Sequence, residues 1–246
     1  MQAHKIVSQE EWTQARKALL AKEKALLKAH DALAAERRAL PWVKVEKNYV
    51  FEGPDGRQTL AELFDGRSQL LVKHFMMGPD WEQGCLGCSF GADSISGSVV
   101  HLVNHDVMFG AVSRAPYPKI KAYHERMGWP FKWVSSAGSD FNYDFHVSFT
   151  KEDEARGKGY YNYELRDYMS DEMPGLSVFI KDEAGQVFHT YSTFARGADQ
   201  LGSTYSLLDL TPKGRNEPPG GNLGSWVRRH DQYEEKQGLP AAIPEA

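Results

Sequence analysis

Three consecutive pieces decide how the chain reads: Leu70-Leu71-Val72-Lys73-His74-Phe75, Gly78-Pro79-Asp80-Trp81-Glu82-Gln83-Gly84, and Cys85-Leu86-Gly87-Cys88. The first lies in Ser68–Met76, whose continuous apolar run suits a parallel strand buried on both faces. The second is a loop by its glycines and polar residues. Beyond the cysteines, Ile95, Val99, Leu102 and Val103 continue at helical spacing, so the order is strand, loop, CxxC, helix. Cys85 and Cys88 are the chain's two cysteines. Scattered at random, a pair would fall three apart about one time in a hundred, so the spacing points to a purpose.

That purpose has a physical logic. At a helix start, free backbone N–H groups and the helix dipole favour a thiolate, which makes Cys85 the expected nucleophile. Cys88, one turn on and within disulfide reach, is the expected resolving thiol. Trp81 is expected to wall the loop. Arg114, just after a core strand where α/β sheets place ligands, is a candidate to offset charge near the thiolate; a surface ion pair is the alternative. Two other readings of the cysteines stay open. They are two buried small hydrophobes, or they bind a metal with His74, His101 or His105, of which His101 and His105 stand four apart.

Further out, Ser8 with Glu11 opens a helix over residues 8–40, which Pro41 ends. Trp12, Leu19, Leu26, Leu33 and Leu40 recur every seven residues. This stripe is expected to pack across the body of the chain or to form a homodimer. Strand signals follow in Lys44–Phe51, with a turn at Gly53-Pro54-Asp55-Gly56 and a helical turn over Thr59–Phe64. After the cysteines come a strand at Asp106–Ser113, a helix at Pro118–Met127 and a strand at Phe131–Val134. Phe141, Tyr143, Phe145, Val147 and Phe149 alternate with polar neighbours, which predicts a strand. Residues 151–173 read as a Tyr-rich insertion, and Leu176–Lys181 with Val187–Ser192 as a hairpin. A last helix is expected over Gly197–Leu208, then a loose arm with a helical turn near Trp226–Tyr233. The expected organisation is a helical segment 1–41, an α/β domain 42–208 and an arm 209–246 lying on or near it.

The 246 residues carry 29 Lys+Arg against 33 Asp+Glu, a net charge of −4. No global positive field exists to hold nucleic acid or an anionic membrane. No apolar run approaches the ~18 residues of a membrane span, and Met1–Lys5 leads into no apolar h-region, so the cytoplasm is the expected compartment.

Leu70–Phe75 before Cys85-Leu86-Gly87-Cys88 resembles the strand and active-site loop of the thioredoxin superfamily. Met173–Phe179 with Gly185-Gln186-Val187 resembles the cis-proline stretch and hairpin facing the cysteines in that fold. Ala111–Arg114, Gly128–Phe131 and Val134–Ser136 resemble the matching strand, helix end and loop of peroxiredoxins. Over most of its length the chain is similar to an uncharacterised bacterial DUF-class family of thioredoxin-like proteins, whose members share the N-terminal helix and an Arg-Arg-His segment, here Arg228-Arg229-His230. The resemblance implies an α/β fold: a thioredoxin-like central sheet flanked by helices, with a long N-terminal helix, an aromatic-rich insertion and a C-terminal arm. It implies a thiol–disulfide oxidoreductase or thiol-dependent reductase with no cofactor, acting on a disulfide or peroxide-type substrate with a thiol electron donor. It also implies a cis Met173–Pro174 bond, with Pro174 holding substrate near Cys85. A metal-binding or interaction module without turnover is the alternative. One departure stands out: peroxiredoxins carry Thr or Ser three residues before the reactive cysteine, and here Glu82 occupies that position, a carboxylate expected to oppose a thiolate.

Overall fold

A computed structural model describes residues 4–218 and 223–233. The chain divides into two compact units, Met1–Val43 and Lys44–Ala246. The first is built on α1 (Gln9–Arg38). Ser8 Oγ accepts the Glu11 N–H (3.2 Å) and the Glu11 carboxylate accepts the Ser8 N–H (3.1 Å), so each satisfies a donor the helix start leaves free. Acidic Glu10 and Glu11 in the first turn and basic Arg37 and Arg38 in the last complement the helix dipole. No residue of α1 is buried, and Leu26 in the heptad stripe is 72% exposed.

The second unit follows in the order β1 (Val43–Lys44, at the junction), β2 (Val50–Gly53), β3 (Gly56–Thr59), a 3-10 turn at Glu62–Phe64, β4 (Gln69–His74), α2 (Leu86–Ser96), α3 (Val99–Asn104), β5 (Val107–Ser113), α4 (Tyr117–Met127) and β6 (Lys132–Ser135). Then come α5 (Phe141–Asp144), α6 (Lys151–Arg156), β7 (Lys158–Tyr161), β8 (Glu164–Asp167), β9 (Gly175–Lys181), β10 (Val187–Phe194), a 3-10 stretch at Ala195–Leu201 and α7 (Ser203–Leu208). Among the described residues the main sheet runs β1-β10-β9-β4-β5-β6-β2-β3, and β7 with β8 forms a separate hairpin. β4, β5 and β6 are parallel neighbours, joined by crossovers through α2, α3 and α4, whereas β9 lies antiparallel to β4 and β10 to β9. Three parallel strands, with an antiparallel hairpin on the far side of the first, make the thioredoxin-like arrangement expected from the sequence.

β4 is the hinge of the architecture because both of its faces are covered. Leu70 and Val72 pack with Phe51, Phe64, Val112, Phe141 and Phe179 on one side. Leu71 and Phe75 pack on the other with Cys88, Ala92, Ile120, Tyr123, Trp129 and Trp133, under α2 and α4. By strand alternation Lys73 shares this second face.

Several expectations need correction. Phe141–Phe149 is not a strand: Phe141–Asp144 is helical, because a turn of helix brings Phe141 and Phe145 together (centroids 4.6 Å) and sets both against the His74 ring (5.5 and 5.7 Å). The apolar alternation is equally met by an aromatic cluster, and tertiary packing selects it. The helix after the cysteines breaks at Gly97-Ser98, where Ser98 N–H turns to the Ile95 carbonyl (2.8 Å); glycine's weak helix propensity favours the break there. The last predicted helix is likewise split at Gly202. The Met173–Pro174 bond is trans, not cis. Met173 N–H donates to the Val147 carbonyl (2.8 Å) and the Pro174 carbonyl accepts the Tyr161 hydroxyl (2.6 Å), so the segment is tied on both sides in an extended path that suits the ordinary isomer. Residues 219–222 and 234–246 of the arm lie outside the described residues. Its described part is not loose: Val227 is fully buried, and its one helical turn is the 3-10 element His230–Gln232.

Candidate functional site

The loop after β4 returns to the strand it left. Cys85 N–H donates to the Met76 carbonyl (2.9 Å), which sets Cys85 at the carboxyl end of the parallel strands, where α/β sheets bind ligands. Ala115 N–H to the Met77 carbonyl (2.9 Å) and Ser113 Oγ to the Phe75 carbonyl (2.6 Å) tie the same loop to the end of β5. Gly84 is needed for the close approach: a Cβ there would lie 2.6 Å from the Phe75 ring and 2.8 Å from the Tyr123 ring. Cys85 is the N-cap of α2, with extended backbone (φ −53°, ψ 136°), and its carbonyl accepts both the N–H and the Oγ of Ser89 (2.9 Å each).

The two sulfurs are inequivalent. Cys85 is half-buried; Cys88, one turn inside α2, is buried and its Sγ accepts the Met76 N–H (3.5 Å). A hydrogen bond from the Cys88 thiol pulls the Cys85 pKa down to about 6, outweighing burial. The Cys88 and Gly87 N–H groups and the Lys73 ammonium add to the pull. The same bond, burial and the Cys85 charge push Cys88 well up. Near neutral pH the pair is therefore a thiolate at Cys85 beside a thiol at Cys88.

Two supporting residues escaped the sequence reading. Lys73 was hidden in an apolar run; a charged residue at a two-sided buried strand position was the available signal. It is only 6% exposed. Arg229 comes from the arm, where nothing in the local pattern shows its destination. Its Nη2 donates to the Gly84 carbonyl (2.7 Å) and its Nε to the Tyr123 hydroxyl (2.7 Å), which in turn bonds Ser89 Oγ (2.9 Å). The carbonyls of Gly84 and Cys85 are thus both held, one by Arg229 directly and the other through Ser89. Neighbouring arm residues add a pair of clamps: His230 Nδ1 to Asp93 (2.6 Å), which also accepts the Trp129 indole N–H (2.7 Å), and Asp231 to Arg126 (2.6 and 3.1 Å).

The remaining sequence candidates are placed as follows. Trp81 is half-buried against the cluster that also contains Cys85, Cys88 and Tyr117. Gly175 pairs with His74, so Pro174 lies just off the end of the sheet from which the cysteine loop departs. The Tyr161 phenol that holds its carbonyl is pushed up to about 12 by burial, with the Cys88 sulfur's charge adding to the push. Arg114 does not stand free. It binds the buried Glu172 (2.5 Å) and the Tyr143 hydroxyl, and Glu172 also accepts from Ser148 Oγ (2.7 Å). Burial raises the Glu172 pKa to about 7 against the pull of Arg114. Glu82 is 87% exposed at its side chain and pairs with Lys119 (3.4 Å). Among the described residues no three His, Cys, Asp or Glu side chains group as a metal shell. His74 Nε2 is engaged by Ser177 Oγ (2.7 Å). No helix among the described residues is long and apolar enough to cross a membrane.

Known structures similar to this chain include a cysteine-to-serine mutant of Xanthomonas campestris peroxiredoxin Q, 10% identical, covering 68% of this chain and 98% of that one with a TM-score of 0.46. Mycobacterium tuberculosis peroxidoxin BcpB is 13% identical over 66% and 96%, TM-score 0.41. The mitochondrial 2-cys peroxiredoxin of Plasmodium falciparum is 12% identical over 68% and 94%, TM-score 0.40. No curated protein matches the chain. The match that spans nearly the whole sequence, residues 1–233, is to a family model, and by it the chain belongs to the bacterial proteins of unknown function grouped as DUF899.

Proposed function

We propose that the protein is a thiol–disulfide oxidoreductase or thiol-dependent reductase in which Cys85 attacks and Cys88 resolves. The observation that carries this reading is the split of the pair into a lowered, half-exposed Cys85 at the start of α2 and a raised, buried Cys88 that hydrogen-bonds to it. With a disulfide, the Cys85 thiolate forms a bond to one sulfur and the other leaves as a thiolate that takes a proton. With a hydroperoxide, Cys85 attacks the terminal oxygen, the O–O bond breaks, the alkoxide leaves with a proton and Cys85 becomes a sulfenic acid. Cys88, losing its proton, then bonds to the Cys85 sulfur and displaces the bound thiol or water. A thiol donor returns two electrons to the disulfide.

A peroxide substrate stays in play because the Glu82 carboxylate is exposed to solvent and pairs with Lys119, both of which weaken its field at the sulfur. Trp81 walls the loop side of the site. Pro174 offers backbone at the end of the sheet from which the cysteine loop departs, and Arg114 acts on it indirectly by anchoring Glu172, two residues before. The test is a screen of the purified chain with a thiol reductant against small disulfides and alkyl hydroperoxides, with mass spectrometry of the trapped cysteines. Turnover lost in Cys85→Ser, with a mixed disulfide or sulfenic acid accumulating in Cys88→Ser, is the expected result. Full activity of Cys85→Ser overturns the reading.

A further inference from the structure

Lys73 is a buried cation that, among the described residues, has no carboxylate or other acceptor bonded to it. Its register partners on the flanking strands are Ala111 and Leu176, both apolar. Across the sheet face, its Nζ reaches α2 at Gly91, where a Cβ would lie 3.3 Å from the nitrogen. Gly91 is three residues beyond Cys88, on the same side of the helix. The ammonium therefore sits beneath the cysteine turn, and the charges it acts on include both sulfurs. Among the described residues, charged or titratable groups near the cysteine loop include Arg229 from the arm, Tyr123 from α4 and Tyr161 from β7, and each of these has a hydrogen-bond partner of its own.

We propose that the Lys73 ammonium is the counter-charge of the reduced cysteine pair and thereby sets its reduction potential, making the disulfide more oxidising. This rests on the reading of Cys85 and Cys88 as a redox pair. In the reduced form Cys85 is an anion and the buried cation is compensated. Oxidation by glutathione disulfide removes that charge: Cys85 displaces one glutathione thiolate, which takes a solvent proton. Cys88 then closes the protein disulfide and its proton leaves with the second glutathione. Two electrons pass to glutathione, and Lys73 is left buried beside a neutral disulfide. A cation on a side chain only 6% exposed gains more from a neighbouring anion than one in open water, so losing the thiolate disfavours the oxidised form. Stabilising the reduced form is what makes a dithiol pair a strong oxidant.

The test equilibrates the full-length chain and its Lys73→Met variant with glutathione buffers, quantifying the disulfide by mass after acid quenching and alkylation. Methionine keeps the length of the stem without the charge. The variant is expected to hold about tenfold more disulfide at the same buffer ratio, which is a potential lower by ~30 mV for two electrons. Its Cys85 alkylation midpoint is expected to rise by about one pH unit. Gly91→Ala, which crowds Nζ without removing it, is expected to move both readouts in the same direction by less, and it serves if Lys73→Met fails to fold. A folded Lys73→Met with unchanged disulfide ratio and unchanged midpoint overturns the inference. If wild type forms no disulfide at any ratio, the redox reading itself fails. The alkylation midpoint still decides whether Lys73 holds the Cys85 thiolate.

Discussion

At the scale of single residues, the hydrogen bond between the two thiols does most of the work at Cys85. An unperturbed thiol titrates near pH 8.5, and the Cys85 value of about 6 leaves it mostly ionised at neutral pH. Its rate of alkylation by iodoacetamide is therefore expected to rise with pH through a midpoint near 6 and to be flat above about pH 7. Because the largest cause is the bond from Cys88, Cys88→Ala is expected to raise that midpoint. Cys88→Ser, whose hydroxyl still donates, is expected to raise it less. A midpoint that stays put in Cys88→Ala shows that backbone N–H groups and Lys73 suffice. Glu172 titrates in the opposite sense. Its folded pKa, about 7, lies above its ordinary carboxylate value because burial disfavours the charge. The stability it contributes is then complete below about pH 4.5 and is lost as pH rises through 7. Urea titrations across this window are expected to show a loss of ~3 kcal/mol attributable to this group. Glu172→Gln is expected to flatten that slope, and an unchanged slope assigns it elsewhere.

Among the elements, the loop between β4 and α2 is the one whose path is most constrained. It must place Cys85 on the helix start while the Met76 carbonyl receives Cys85 N–H and the Met76 N–H reaches Cys88. Gly84 lets Phe75 and Tyr123 close around the backbone. Gly84→Ala is expected to cost about 1–3 kcal/mol by overpacking, read as a lowered urea midpoint, and to slow Cys85 attack by displacing the helix start. α1 shows the opposite case. Its capping box and its charged ends satisfy the helix locally, so it forms without a buried face, and its periodic leucines stay exposed. The Phe141–Phe149 segment fails as a strand because the same apolar residues pack better as a helical turn around His74.

For the molecule as a whole, the arm joins residues far apart in sequence to the cysteine loop. Arg229 lies 145 residues from Gly84, whose carbonyl it holds. Removing it leaves that carbonyl and the Tyr123 hydroxyl short of a donor, a loss of about 1.5–3 kcal/mol for a charged hydrogen-bonding group. Arg229→Ala is expected to lower the melting temperature and alter Cys85 alkylation together, whereas Arg228→Ala, whose side chain among the described residues bonds to the Ser225 and Val227 carbonyls of the arm, is expected to leave alkylation unchanged. Equal effects of the two variants mean that the arm matters only as a packed segment.

What the sequence by itself determined is what rests on local rules. These are the capping box at Ser8 and Glu11, the strand–loop–CxxC–helix order, the alternation that gives the parallel core, the hairpin after Gly175, and the place of Cys85 at a helix start with Cys88 one turn on. Periodicity, caps and turn chemistry act within a few residues and can be read without knowing the rest of the chain. The tertiary structure decided which charges meet the sulfurs. Arg114, near in the topology, is taken by Glu172, and the cation beneath the pair is Lys73, from within an apolar strand. It also decided that Glu82 turns to Lys119 and solvent, and that Arg229 reaches back to Gly84. Charge pairing and burial depend on distances across the fold, where contacts between residues scores of positions apart compete, and no local pattern in the chain encodes the winner.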